Sequence, residues 1–155
     1  MGVVHGIKTF VPIMRRQNTP CHIVNVSSHA GLTSNAHFTP YQISKHAIVT
    51  LTESLQQDLI TYDCNNIAAS VFFPFFVQSN LADSGRHLKQ KDESLYVSEP
   101  AQSFFEKLAI LTNKGITSQS AADILFAGIK QNSLYIFTDE QTKTDFGVRC
   151  KNILE

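Results

Sequence analysis

Two short, continuously apolar runs, residues 21–27 and 67–73, bracket a long stretch of helical apolar spacing, and this alternation constrains the fold more than any other feature. Each run follows turn chemistry and is rich in Val, Ile or Phe, so each reads as a strand. Their lack of polar alternation predicts burial on both faces, as in a parallel sheet. Between them a helix is predicted from about Tyr41 to Tyr62, with Ile43, Ala47, Leu51, Leu55 and Leu59 on one stripe. Val3, Ile7, Phe10 and Met14 outline an earlier helix, in which Pro12 is expected to kink or end the regularity. Arg15 to Asn18 suit a helix exit, and Thr19-Pro20 marks a break. After Pro74 the chain is irregular as far as Pro100, and residues 82–94 are its most polar part. Phe104, Phe105, Leu108 and Leu111 outline another amphipathic helix, residues 118–131 a further one, and residues 134–137 a last short strand. Strand, helix, strand, helix, strand implies a parallel α/β sheet. With no internal repeat or low-complexity tract, residues 1–155 read as a single domain.

Composition narrows the function classes. The 43% apolar content argues against general disorder. Thirteen basic and thirteen acidic residues cancel, and no basic run exceeds Arg15-Arg16, so nucleic acid is not an expected partner. Three widely spaced cysteines, Cys21, Cys64 and Cys150, form no CxxC pair and no disulfide framework, which points to a reducing, cytoplasmic compartment. No stretch approaches the roughly 20 apolar residues of a membrane span. The first residues lack the basic start and cleavage pattern of an export signal. Asn25-Val26-Ser27 matches a glycosylation sequon, but its place in an apolar strand argues for a structural role.

The chemistry concentrates in Tyr41-Gln42-Ile43-Ser44-Lys45 and in Ser28, thirteen positions upstream at the end of the first strand. A Tyr and a Lys four apart share one helix face, with Cβ atoms roughly 5–6 Å apart. A serine at a neighbouring strand end can reach the same spot. Hydroxyl, phenol and cation together suit proton transfer to and from a carbonyl or alcohol oxygen. A free phenol titrates near ~10. A cation ~4 Å away at an effective dielectric of ~20 supplies ~4 kcal/mol toward its ionised form. The six histidines show no HxxxH or HExxH spacing, so no metal is predicted. Ser28 beside His29 has no G-x-S-x-G elbow, which argues against a hydrolase. His29 and His37 are expected to be solvated loop residues, with substrate contact as the alternative.

These residues resemble the short-chain dehydrogenase/reductase family. Asn25-Val26-Ser27-Ser28, the Tyr41-x-x-x-Lys45 pair at the family's spacing, and Phe73-Pro74 after the next strand carry the resemblance. It implies the C-terminal part of a Rossmann-like, doubly wound parallel sheet, with about three strands and flanking helices. It also implies an oxidoreductase that uses NAD or NADP to interconvert an alcohol and a ketone or aldehyde. Tyr41 would be the acid in reduction and the base in oxidation, Lys45 would assist it and hold the nicotinamide ribose, and Ser28 would donate to the substrate oxygen. Pro74, Val77 and Ser79 would contact the nicotinamide carboxamide. Phe75 stands where the family usually has glycine, so a φ above zero there would be costly. Residues 75–113 would form a substrate-binding lid, with Phe76, Leu81, Tyr96, Phe104, Phe105 and Leu108 lining it. The first helix and the helix from Tyr41 to Tyr62 would form a homo-oligomer interface.

The 155 residues contain no glycine-rich phosphate loop. Gly2 to Gly6 resemble the helix that follows an asparagine of the family's proton relay, so Met1 falls within an element. The expectation is that about 100 preceding residues are absent, and that the chain alone binds dinucleotide poorly and has little activity. The competing reading is a truncated, non-catalytic relative acting as an association or binding module.

Overall fold

In the computed structural model, which describes residues 1–80 and 99–155, three parallel strands stand side by side in the order β1-β2-β3. They are β1 Cys21–Val26, β2 Ile67–Phe73 and β3 Tyr135–Phe137. Cys21 pairs with Ile67 and Val26 with Phe72, while Val71 pairs with Tyr135 and Phe73 with Phe137. Helices α1 Gly2–Gln17, α2 Thr39–Thr61, α3 Glu99–Asn113, α4 Ser118–Lys130 and α5 Gln141–Leu154, with a 3₁₀ turn at His29–Gly31, complete the described elements. The α/β class and the Rossmann-like parallel sheet expected from the alternation of elements are those observed.

The sheet is covered on both faces. On one side, Leu55 and Leu59 of α2 pack with Ile67 and Ala69 of β2, and Ile7, Val11 and Met14 of α1 close that layer. Val49 extends it toward Val71 and Phe73, which are fully buried. On the other side, Phe72 and Ile136 pack against Ala121, Ile124 and Ile129 of α4. Burying a Val, Ile, Leu or Phe side chain contributes about 1.5–3 kcal/mol, so the alternate faces of β2 anchor both layers. Gly128 in α4 allows that approach, because a Cβ there would stand 2.6 Å from the Ile136 side chain.

Several expectations need correction. Strand β1 is not buried on both faces: most of it is half-buried and Val26 is 48% exposed, because among the described residues β1 is an edge strand. Helix α1 runs through Pro12 to Gln17 and ends on Asn18 in the left-handed region, φ 50°. The packing of Ile7, Val11 and Met14 on both sides of the proline offsets the ~3 kcal/mol that an interior proline costs. Phe10 is 55% exposed, and Val11 takes the inward place expected for it. Helix α2 begins at Thr39 with Pro40 in its first turn, where the missing N–H has no intrahelical partner to lose. Its buried residues are Gln42, Val49, Thr52, Leu55 and Leu59, whereas Ile43 is 65% exposed. In α3, Phe104 and Leu108 are half-buried as expected, but Phe105 and Leu111 are exposed and Thr112 is buried instead. Helix α5 was not anticipated from the sequence. Asn25 is buried and donates to Thr52 Oγ1 at 3.0 Å, the structural role expected for that sequon.

Candidate active site

All three strands point the same way, so their C-terminal ends lie at one edge of the sheet, where open α/β sheets bind ligands. Ser27-Ser28-His29, Pro74-Phe75 and Thr138-Asp139 follow the three ends. Backbone bonds stitch them together: Ser27 N–H donates to Phe72 O at 2.8 Å and His29 N–H to Pro74 O at 3.0 Å. Phe75 N–H donates to Thr138 Oγ1 at 3.0 Å.

Ser28 caps a one-turn 3₁₀ segment, His29–Gly31, with an extended backbone at φ −176°. Its Oγ accepts the Ala30 N–H at 3.2 Å, which leaves the hydroxyl proton free to donate outward. Beneath it Ser27, 2% exposed, donates to Lys45 O at 2.9 Å. Gly31 lies so close to this bond that a Cβ would collide with Ser27 Oγ, which is why the turn can seat on α2.

Lys45 reaches back from α2 to β1, donating from Nζ to Val26 O at 3.1 Å. The same ammonium sits 5.5 Å from the centroid of the Tyr41 ring, within range for cation–π attraction. Burial pulls its pKa below the ordinary lysine value. The Tyr41 ring is steadied from another side by Phe38, with centroids 4.6 Å apart. Phe38 in turn meets Phe104 at 5.5 Å and Phe105 at 6.2 Å, so α3 approaches the tyrosine through an aromatic relay. Ser44 Oγ donates to Tyr41 O at 2.7 Å, an ordinary helix-start bond. The buried Gln42 amide pins the preceding loop, donating to Asn35 O at 3.1 Å and accepting from Asn35 N–H at 2.6 Å.

The segment after β2 is fixed at both ends. Phe76 O accepts from Ile116 N–H at 3.1 Å, and Ile116 O accepts from Gln78 N–H at 2.9 Å, bridging Val77 to the loop before α4. A Cβ on Gly115 would meet the Phe76 carbonyl, so only glycine admits this approach. Ser79 is exposed. The described non-glycine residues with positive φ are Asn18, His37, Asp63 and Asn132, so Phe75 keeps an ordinary backbone. Of the expected lid residues, Leu81 and Tyr96 lie outside the described residues.

His29 departs most from expectation. Its side chain is 13% exposed, its ring lies 4.3 Å from the Phe75 ring, and its Nδ1 is 3.2 Å from Thr142 Oγ1. Burial lowers its pKa, and Asp145 and Asp139 partly oppose that. Phe38 and α5 are the other parts that sequence reasoning missed. Asp139 three residues before Thr142 was the available cap signal, since Thr142 N–H donates to Asp139 Oδ1 at 2.8 Å. Among the described residues no three His, Cys, Asp or Glu gather as a metal site, and no helix is long and apolar enough to cross a membrane.

A family model described as short chain dehydrogenase matches residues 1–90. A C alpha-dehydrogenase from a Sphingobium species is 33% identical over 87% of this chain and 43% of its own length. A CLA biosynthesis dehydrogenase/reductase from Lactiplantibacillus plantarum is 29% identical over 99% of this chain and 55% of its own length. A solved short chain dehydrogenase/reductase from Burkholderia phymatum in complex with NAD has a TM-score of 0.89 at 31% identity. It covers 98% of this chain and 54% of that one. The chain thus spans about half the length of the curated relatives it matches.

Proposed function

The chain belongs to the short chain dehydrogenase family, an oxidoreductase family, and on that premise we propose that Ser28, Tyr41 and Lys45 serve the interconversion of an alcohol and a ketone or aldehyde with NAD or NADP. The observation that carries this reading is Lys45, which lies over the Tyr41 ring while its Nζ bonds to the carbonyl of Val26, the last residue of β1 and two residues before Ser28 in sequence. With Lys45 held over its ring, Tyr41 would give or take a proton at the substrate oxygen. Ser28 donates its free hydroxyl proton to the same oxygen and stabilises charge as it develops. The remaining N–H bonds of Lys45 suit the ribose hydroxyls of a nicotinamide nucleotide, which supplies or accepts hydride when bound.

Pro74, Val77 and Ser79 would hold the carboxamide end. Phe75, which replaces a glycine there, has a backbone outside the strained region, and its N–H is bonded to Thr138 Oγ1. Residues 75–113 would form the substrate-binding segment. Its described end brings Phe104 toward Phe38 and so toward Tyr41, which suits a small molecule with apolar surface. Association into a homo-oligomer through α1 and α2 is part of the same reading, supported by exposed Phe10 and Ile43.

The test uses protein purified from its source through a C-terminal tag, assayed with NADH and NADPH against a panel of ketones and aldehydes. Turnover is expected, and Tyr41→Phe is expected to lower kcat by at least ~100-fold, the usual range for a lost acid–base group. Unchanged kcat in Tyr41→Phe would refute the assignment, and absence of any turnover would favour the non-catalytic reading. The 155-residue chain alone is expected to bind either dinucleotide weakly; tight stoichiometric binding in titration calorimetry would contradict that part.

A further inference from the structure

Thr142, in the first turn of α5, is fully buried and faces two partners at once. Its hydroxyl lies 3.2 and 3.1 Å from the two oxygens of Asp139, and its Oγ1 is 3.2 Å from His29 Nδ1. A threonine hydroxyl has one proton, and a carboxylate can only accept. The proton therefore goes to Asp139, and the bond to His29 requires Nδ1–H as the donor. Nδ1 of His29 is thus engaged by a residue 113 positions away. The second ring nitrogen lies 3.6 Å from Asp145 Oδ2, also on α5, and the ring face rests against Phe75. The His29 main chain is held as well, by its bond to Pro74 O. Arg149 of α5 adds a bond to Leu32 O at the far end of the same turn.

A solvated loop histidine would need none of these contacts. Ser28 is trapped between Ser27, tied to β2, and His29, tied to β2 and α5, while its own Oγ is set by Ala30 N–H. We infer that His29 is a positioning residue for Ser28, and that α5 fixes it through the Thr142–Asp139 pair. The significance of Ser28 rests on the oxidoreductase reading above; the positioning itself does not.

The experiment is nuclear magnetic resonance on the 155-residue chain and its Thr142→Val, Thr142→Ser and His29→Leu variants. Val keeps the shape of Thr and removes only the hydroxyl. The imidazole ¹⁵N shifts report the His29 tautomer, and exchange of the Ala30 amide reports the placement of Ser28 Oγ. The Ala69 amide, bonded to Gln56 Oε1 in the core, is the reference for global stability. Thr142→Val is expected to abolish the Nδ1–H signature and speed Ala30 exchange about 10-fold relative to Ala69, the equivalent of one hydrogen bond. His29→Leu should give the same acceleration, and Thr142→Ser should restore both signals. Unchanged tautomer and exchange in Thr142→Val would overturn the inference, as would equal acceleration of Ala30 and Ala69 or failure of Thr142→Ser to rescue. None of these readouts requires turnover, so a negative Tyr41→Phe result would leave them standing.

Discussion

Gly31→Ala is the sharpest perturbation of the site that leaves its chemical groups in place. The added Cβ would collide with Ser27 Oγ and come within 3.0 Å of Lys45 O. Neither neighbour can yield freely, since Lys45 O is backbone in α2 and Ser27 is 2% exposed. Either the 3₁₀ turn lifts from the helix or the 2.9 Å Ser27–Lys45 bond breaks. Forcing an extra methyl into packed structure costs about 1–3 kcal/mol. Leaving a buried hydroxyl and carbonyl unpaired costs about 1–3 kcal/mol. A combined loss of about 3 kcal/mol is expected, which lowers the urea midpoint by about 1.5 M at a slope near 2 kcal/mol/M. Gly6→Ala is the control: nothing stands within 4 Å of a Cβ there, in the interior of α1. Helix propensity predicts a gain of about 0.5–1 kcal/mol at that site. The double variant Ser27→Ala/Gly31→Ala should recover about 1 kcal/mol relative to additivity, because it removes the atom that the methyl strikes. A Gly31→Ala cost below about 1 kcal/mol, or additive double-variant energies, would refute the close-packed turn.

Two further outcomes follow from burial. His22 and His29 both have pKa values lowered from 6.5 by burial, so the unfolded chain takes up protons before the folded chain does. Their stabilising contribution is complete above 6.5 and is lost as pH falls through that value toward their folded values, so unfolding free energy should decline from about pH 7.5 to 5.5. A rise on acidification across this window in urea titrations would contradict it. Ile43→Glu should leave monomer stability within about 0.5 kcal/mol, the range of surface substitutions, yet raise the dissociation constant of the proposed oligomer at least about 10-fold. Light scattering that finds the unaltered chain monomeric at tens of micromolar would remove the oligomer proposal.

Strand β2 was legible because a central strand shows its burial on both faces directly as composition, and its bounds match the observed ones. The positions of Ser28, Tyr41 and Lys45 were legible because they depend on local spacing within one strand end and one helix. The tie between His29 and Thr142 was not, since it joins a loop to a helix 113 residues later through one polar contact. Tautomers were equally hidden. Ser70 Oγ donates to Ser133 O at 2.7 Å, so His22 Nε2, 2.6 Å from that oxygen, must be the donor, a deduction that needs the fold. The misplaced positions, Ile43 and Ala47 on α2 and Phe105 and Leu111 on α3, have a different origin: apolar periodicity marks which residues prefer cover, not which cover a helix receives.

Helix α2 shows how that conflict is decided. Three of its apolar residues, Ile43, Ala47 and Ile60, are turned outward, while Gln42, Lys45, Thr52 and Gln56 are drawn inward beside the core residues Val49, Leu55 and Leu59. Each of these polar residues is bonded to a fixed backbone or side-chain group: Gln42 to Asn35, Lys45 to Val26, Thr52 to Asn25, and Gln56 to Ala69. Rotating Ile43 inward would bury about 1.5–3 kcal/mol of side chain. It would also strand four such bonds, at about 1–3 kcal/mol for each buried group left unpaired. The polar set, together with Val49, Leu55 and Leu59, outweighs Ile43, and the same setting of the helix brings Lys45 to the end of β1. The orientation that assembles the candidate site therefore leaves Ile43, Ala47 and Ile60 in need of cover, which ties the proposed catalysis and the proposed association to one helix setting.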